Sequence, residues 1–380
     1  MTHSFLFSKM LENINLIKPR ILSGAFALFA AAIFTASSAG ASGWSLYSEF
    51  DSITFSESFS IYDALADQVE GGGFAQNGNN GFTHNQFEIG ARKGPWDLAV
   101  LTRYDYLAEY SSDAASLLLA SELGLPVPSD DFDIFAELNH SKSHGIRLGY
   151  HFDVTPDLTL TGRLSGLLAY GVVEGQLSGD LSFTDAELET GDLELDYVFT
   201  TDIVFGRDFD KPMGYGTSFD AIAHWRANEK LSLEAAAYDV FSRIWWDDLP
   251  RTAADATTAI SRLQDNGILI VRPTINGQNF FEDFTQRLEA RYAAKVDYKL
   301  SPKWSVSQDI FSLGRNQLTE TEVNYHFPSG HKLGGSYEWV SGAAGINLVW
   351  KALNLEFATD SLNPKNARYA KLKLGLVKRF

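Results

Sequence analysis

The chain has no cysteine, only 3 methionines, and far fewer cations than anions, with 31 Lys and Arg against 48 Asp and Glu. Each shortage excludes something. Without thiols there are no disulfide staples and no Cys-based metal sites, so stability has to come from hydrogen-bond ladders and burial. A net charge of −17 excludes nucleic acid as a partner, because phosphate binding needs clustered Lys and Arg. Long apolar runs are missing as well. Beyond residues 1–41 no segment approaches the ~20 apolar residues that a helix needs to cross a bilayer, although 45% of the chain is hydrophobic.

Catalytic signatures are missing too. There is no G-x-S-x-G elbow, no H-E-x-x-H and no phosphate-cradling G-x-x-x-x-G-K, and the 8 histidines are dispersed. The reading is therefore not an enzyme, with no catalytic residue, no cofactor and no metal site. His140 and His144 carry the spacing of one helix face, but the residues around them are not helical, so they read as wet lining residues. Asp130-Asp131 and Asp247-Asp248 read as solvated loop charge.

What is present begins with a leader. Lys18 and Arg20 flank the unbroken small and apolar run 21–34, and Ala39-Gly40-Ala41 supplies a small-x-small cleavage pattern. The sequence thus divides into a secretory signal, 1–41, cleaved near Ala41, and a single domain, 42–380.

Behind the leader, apolar and polar residues alternate with a period of two. In 288–300, Leu288, Ala290, Tyr292, Ala294, Val296, Tyr298 and Leu300 alternate with Glu289, Arg291, Ala293, Lys295, Asp297 and Lys299. A helix would scatter these charges around its axis, whereas a strand separates them into one oily and one wet face. The same pattern recurs over 145–154, 96–105, 193–199 and 219–226, with polar turns at Thr155-Pro156-Asp157, Asn228-Glu229-Lys230 and Ser301-Pro302-Lys303.

The spacing predicts an all-β transmembrane antiparallel up-and-down barrel of about sixteen strands, within a span of roughly fourteen to eighteen. Strands are expected near 44–56, 85–94, 96–110, 145–154, 158–172, 177–187, 192–205, 216–226, 231–246, 287–300, 303–313, 318–327, 332–340, 344–351, 353–360 and 368–380, with 131–140 as a possible addition. Short turns fall on the periplasmic rim. Long connections, 57–84, 111–144 and 247–286, fall on the other, and within them 112–123 and 253–263 read as helices that either cap or enter the pore or lie on the outer surface. All 8 tryptophans stand at or near predicted strand ends, as expected of an interfacial girdle.

The alternation predicts lumen-facing side chains of both signs: Arg103, Arg147, Arg163, Arg226, Arg291, Lys295, Lys299, Lys371 and Lys373, with Asp97, Asp105, Asp153, Glu194, Asp220, Glu234, Glu289 and Asp297. Such walls either set up a transverse field across a constriction or pair with one another and plug the barrel.

The last stretch ends on Phe380, with Leu376, Leu374 and Leu372 at alternate positions before it. It resembles the insertion signal that Gram-negative outer-membrane barrels present to the barrel assembly machinery, and the mature chain as a whole looks like a porin-type barrel. Lys378 departs from that pattern, in which an apolar or aromatic residue stands there, and its stem can snorkel at the membrane edge. The resemblance implies an outer-membrane location, with lipid and the assembly machinery as partners. The expected function is a porin-like channel for passive or substrate-selective passage of small polar solutes. The alternatives are a closed barrel acting in adhesion or as a scaffold through its long loops, and a transporter of hydrophobic compounds.

Overall fold

The computed structural model describes residues 43–65, 74–75, 77–185, 187–263 and 269–380; the leader read over 1–41 lies outside them. Among these residues seventeen strands form a single antiparallel sheet. They are β1 (Trp44–Ser56), β2 (Asn80–Lys93), β3 (Trp96–Tyr110), β4 (Asp131–Thr155), β5 (Leu158–Thr184) and β6 (Glu187–Phe199). Then come β7 (Gly214–Arg226), β8 (Leu231–Tyr238), β9 (Arg243–Leu263), β10 (Leu269–Gln286) and β11 (Arg291–Ser301). The last are β12 (Trp304–Leu313), β13 (Asn316–His326), β14 (Lys332–Glu338), β15 (Ala344–Trp350), β16 (Leu353–Thr359) and β17 (Tyr369–Arg379). Among the described residues two helices accompany them, α1 (Ile61–Leu65) and α2 (Ser112–Leu123).

The sheet closes on itself. Pairing follows chain order from β1 to β5, where the inner half, 158–169, pairs with β7 and the outer half, 173–184, pairs with β6. β6 leads to β9, β9 to β7, β7 to β8 and β8 to β11, and chain order then resumes. β17 returns to β1 with Ser45 opposite Arg379. Sixteen strands lie on this circuit, and β10, paired to β9, is the one extra. Where β5 meets β7 directly the circuit bypasses β6 and β9, so the wall is narrower toward the short turns than at its outer end.

Side chains in the short turns explain why the strands stop there. Ser301 Oγ accepts from the amides of Lys303 (3.3 Å) and Trp304 (3.2 Å), and Asn228 Oδ1 accepts from those of Lys230 (2.9 Å) and Leu231 (3.0 Å). Gly94, at φ 54°, takes the left-handed turn between β2 and β3 that a Cβ would strain. All these turns share one rim with the start of β1 and the end of β17.

A β-strand crosses a bilayer in about 9–11 residues, so β4, with 25 residues, and β5, with 27, continue well past the membrane. In the crossing half, apolar side chains on the outward face stand exposed, among them Leu98, Val100 (56%), Ile146 (61%), Leu164, Val296 and Ile310. Trp44, Trp96, Trp225, Trp304 and Trp350 ring the short-turn rim, and Trp245 and Trp339 lie at the other, all exposed. The indole is apolar with one N–H, which suits the headgroup layer. Trp246 departs from the girdle: it is 1% exposed, because neighbours on a strand point to opposite faces and Trp245 already takes the outer one.

Several predicted boundaries shift. The separate stretches 158–172 and 177–187 are one strand, β5, and 131–140 joins 145–154 as β4. The single strand expected over 231–246 breaks at 239–242, where Asp239 sits at φ 59°. The loop expected over 247–286 is largely β9 and β10, and the helix expected over 253–263 is strand: Ala253–Thr257 pair with both β6 and β10, and that tertiary pairing overrides the local alanine content. The helix expected over 112–123 is present as α2. Ser111 Oγ caps its first turn by accepting from Ala114 N (3.1 Å), and Gly124 ends it at φ 62°.

Candidate functional site

The barrel interior is filled in tiers. Nearest the short-turn rim, Arg147 holds Glu88 at 2.5 Å, Tyr47 Oη donates to Asp97 (2.6 Å), and Arg92 Nε donates to the same carboxylate (2.8 Å). Higher up, Arg103 donates twice to Asp239 (2.7 and 2.9 Å), Arg291 donates to it at 3.1 Å, and Ser218 Oγ at 2.6 Å. Asp105 faces both Arg103 (3.0 Å) and His84 Nδ1 (2.6 Å), while Asp220 accepts from the Asp239 amide at 3.0 Å. On the opposite wall Lys371 bridges Glu320 (2.5 Å) and Glu356 (3.4 Å), and Lys295 bridges Asp309 (3.0 Å) and Glu322 (3.2 Å).

The remaining residues picked from the alternation are placed as follows. Arg163, Asp220, Lys371 and Lys373 border a space of about 1110 Å³ inside the barrel, adjoining solvent included, with Lys373 3.7 Å from Asp51. Asp297 accepts from Ser307 Oγ. Arg226 and Asp153 stand exposed at the short-turn rim, where Asp153 accepts from Thr159 Oγ1 (2.7 Å), and Lys299 is exposed near the β11–β12 turn. Glu289 is exposed beside a small cavity that it shares with Arg103, Asp105 and Arg291. Glu234 faces His224 at 3.8 Å, and Glu194 is exposed on the outer reach of β6.

Apolar side chains pack beside the ion pairs in two clusters. Ile244, Trp246, Leu249 and Leu288 pack on Leu101, Leu167 and Val198 across one side of the lumen. Phe55, Phe82, Leu313, Leu318 and Tyr369 pack together on the other. Gln286 reaches over to β4, where its Nε2 donates to Asn139 Oδ1 (3.1 Å) and to the His140 carbonyl (3.0 Å).

The second space lies on the other side of the wall. In register, Thr54, Thr83, Tyr106, His140 and Val173 form one row across β1–β5, and Ala108, Leu138, Gly175 and Tyr197 form part of the next. Tyr104, Tyr106 and Ala108 share the face of Leu98 and Val100, and Leu138 and His140 that of Ile146 and Leu148, so these rows continue the lipid-facing surface beyond the bilayer. There the surface is roofed. Ala114, Ala115 and Leu118 of α2 cover it from one side, Phe59 and Ile61 from a second, and Ile203 and Val204 from a third. Helix α2 thus lies against the outside of the extended sheet, its Ala114 and Leu117 packed with Ile134, Leu177 and Leu195, and does not enter the lumen. The result is a chamber of about 1450 Å³, mouth included, lined mainly by apolar and aromatic side chains.

The segment 200–213 is pinned in place over this face. Arg207 bridges Asp202 and Asn279, and its Nη2 donates to Thr252 Oγ1 (2.6 Å), while Tyr197 Oη donates to Asp202 (2.6 Å). Burial would raise the Asp202 carboxyl, but the hydrogen bonds from Tyr197 and Arg207 outweigh it and hold the group below the usual carboxylate range.

A closed strand circuit, an apolar belt and two aromatic rims decide the setting. The architecture is that of a Gram-negative outer-membrane β-barrel. No family model matches the chain, and no curated protein matches it. Solved structures share its outline. The Pseudomonas putida toluene transporter TodX is 11% identical over 93% of this chain and 92% of that one, with a TM-score of 0.40. A deltaS2S3 mutant of TodX, described as a monoaromatic hydrocarbon channel, covers 90% and 91% at 11% identity and 0.43. A Pseudomonas aeruginosa FadL homologue covers 88% of each chain at 11% identity and 0.28. The likeness is one of overall build, and no residue is carried across.

Of the rows Tyr104–Tyr110 and Ala136–His140, sequence reasoning singled out His140 alone as a site candidate, and as a wet lining residue, whereas it is buried on the outward face of β4. Their signal is an apolar dyad face that continues after the strand is long enough to have crossed the membrane. Asp239, Glu88, Glu320 and Glu322 were also missed, the first because it sits in a break between strands.

Proposed function

We propose that this barrel binds small hydrophobic compounds at the outer surface of the outer membrane and serves their transfer. One observation carries the reading: the roofed chamber, whose exposed lining is mainly the apolar surface of Phe, Tyr, Leu, Ile, Val and Ala, with Asp63, Glu109, Glu137 and Gln176 among the polar residues on its border. An apolar cavity bounded by rigid strands holds a ligand by removing its surface from water, and its shape is set before the ligand arrives. The carboxy-terminal strand, with Leu372, Leu374 and Leu376 on its outward face opposite Lys371 and Lys373, is proposed as the element offered to the assembly machinery, and residues 1–41 as the export leader.

Equilibrium dialysis of naphthalene against protein-containing and protein-free micelles tests the chamber. Wild type is expected to retain naphthalene above the micelle blank. Ala108→Trp, which places an indole inside the chamber, is expected to weaken retention by at least about tenfold. Retention equal to the blank in wild type would remove the proposal.

Passage of small polar solutes through the lumen is the competing reading, favoured by the lumen space beside Arg163 and Lys373. The two apolar tiers and the ion pairs oppose it. A planar bilayer containing wild-type protein is expected to show no stable ohmic steps, and regular single-channel steps would restore the porin-like reading.

A further inference from the structure

A lysine on a strand face that meets lipid is costly everywhere except at the headgroup level, and Lys142 stands at that level. Trp96 and Tyr150 face each other at the short-turn rim, and Tyr104 and Lys142, also opposite one another, are each the ninth residue along their strands counted from that pair. A tilted strand crosses the bilayer in about 9–11 residues. Lys142 shares the outward face of Ile146 and Leu148, so its ammonium emerges where the outer headgroups begin.

The local structure fixes that ammonium. Between Lys142 and Ser143 the β4–β5 ladder slips, their partners being Gly171 and Ala169, and Tyr170 is the residue left over. A bulge of this kind re-aims side chains. Here the Tyr170 ring lies on the exposed His144 imidazole, 4.7 Å apart and 24° from parallel. Gly171 leaves room for the Lys142 stem, which runs 3.1–3.3 Å from where a Cβ would stand, and the Nζ lies 5.5 Å from the Tyr104 ring centre. Lys211 joins from the segment 200–213. Gly214 pairs with Ala169, which brings the exposed Lys211 toward the same bulge, and its charge repels that of Lys142. Asp208 and Asp210 precede it in sequence, yet among the described residues no carboxylate forms an ion pair with either lysine. Two like charges at headgroup depth, with no counter-charge from the protein, favour an anion from outside.

We infer that Lys142 and Lys211 bind a phosphate of an outer-leaflet glycolipid whose acyl chains lie on the wall below. A phosphate accepts from several donors at once, and the ammonium groups and the His144 imidazole present donors on one patch. Ile146, Leu148 and Leu164, all exposed on the outward face, offer the chains an apolar bed that a free phosphate ion would not use. Tyr104 belongs to this patch and to the chamber lining alike, so the lipid sits directly beneath the chamber.

Native mass spectrometry of the protein in dodecyl maltoside micelles tests this by comparing retention of diphosphoryl lipid A with that of the same lipid freed of its phosphates. Each variant is first checked for folding by heat-modifiable gel mobility. Wild type is expected to retain the phosphorylated lipid in preference. Lys142→Gln and Lys211→Gln should each weaken that retention about fivefold, and the double variant more than either, while Lys142→Arg keeps it. Lys211 is exposed, so its variant still decides the matter should Lys142→Gln fail to fold. Equal retention of the two lipids by wild type would mean that the acyl chains alone hold them, and would overturn the inference. Undiminished retention in Lys211→Gln or in the double variant would do the same. Displacement of the lipid by millimolar inorganic phosphate would assign the patch to the free ion and overturn it too.

Discussion

Asp239→Asn should destabilise the barrel by about 3–5 kcal/mol, read as a shift in the guanidinium midpoint for loss of the heat-modifiable folded band. The carboxylate has both oxygens engaged by Arg103, one of them also by Arg291 and the other by Ser218, and its own amide donates to Asp220. Removing its charge leaves two guanidinium groups in a tight interior, with Asp105 and Asp220 as the remaining nearby anions. Asparagine keeps the side-chain shape and tolerates φ 59°, so the loss reports charge and not backbone strain. Asp239→Ala should cost about 1 kcal/mol more, because alanine has no side-chain group to favour that backbone conformation. A change of less than about 1 kcal/mol in Asp239→Asn would mean that the arginines are solvated and the tier is open to water.

Trp246→Ala should cost a similar amount, about 3–5 kcal/mol, whereas Trp245→Ala should cost about 1 kcal/mol or less by the same measurement. The two residues are adjacent, yet Trp246 is buried against Ile244, Leu249 and Leu288 in the lumen while Trp245 is 50% exposed. Losing the buried indole leaves a void among side chains that the closed wall prevents from collapsing inward. Equal effects would show that the β9 register differs from the one that sets Trp245 opposite Tyr215.

Much of this arrangement follows from period two alone. Arg147 and Asp97 can be assigned to the lumen because Ile146, Leu148, Trp96 and Leu98 claim the lipid, and a strand offers two faces only. The seventeen observed strands agree with the expected count to within the span that alternation allows. What alternation leaves open is the partner of each side chain. Nothing local in 239–242 announces that Asp239 turns back to collect Arg103 from more than a hundred residues away, or that β9 leaves the β8 line to join β6. The Ala-rich stretch 253–257 reads as helix until its two strand neighbours are known. The chamber was hidden for a related reason. The outward face of Tyr104, Tyr106 and Ala108 reads as lipid-facing surface, and only the roof formed by α2, Phe59 and Ile203, all distant in sequence, turns it into a cavity.

The seam between β1 and β17 joins Ser45 to Arg379, residues from opposite ends of the described chain. Every other strand pairing in the wall spans a shorter stretch of chain, so closing this one carries the largest entropy cost. Until then the molecule is an open ribbon with two unsatisfied margins, each able to template a foreign strand. Closing the ring pairs both margins at once, with the final eleven-residue strand as its clasp.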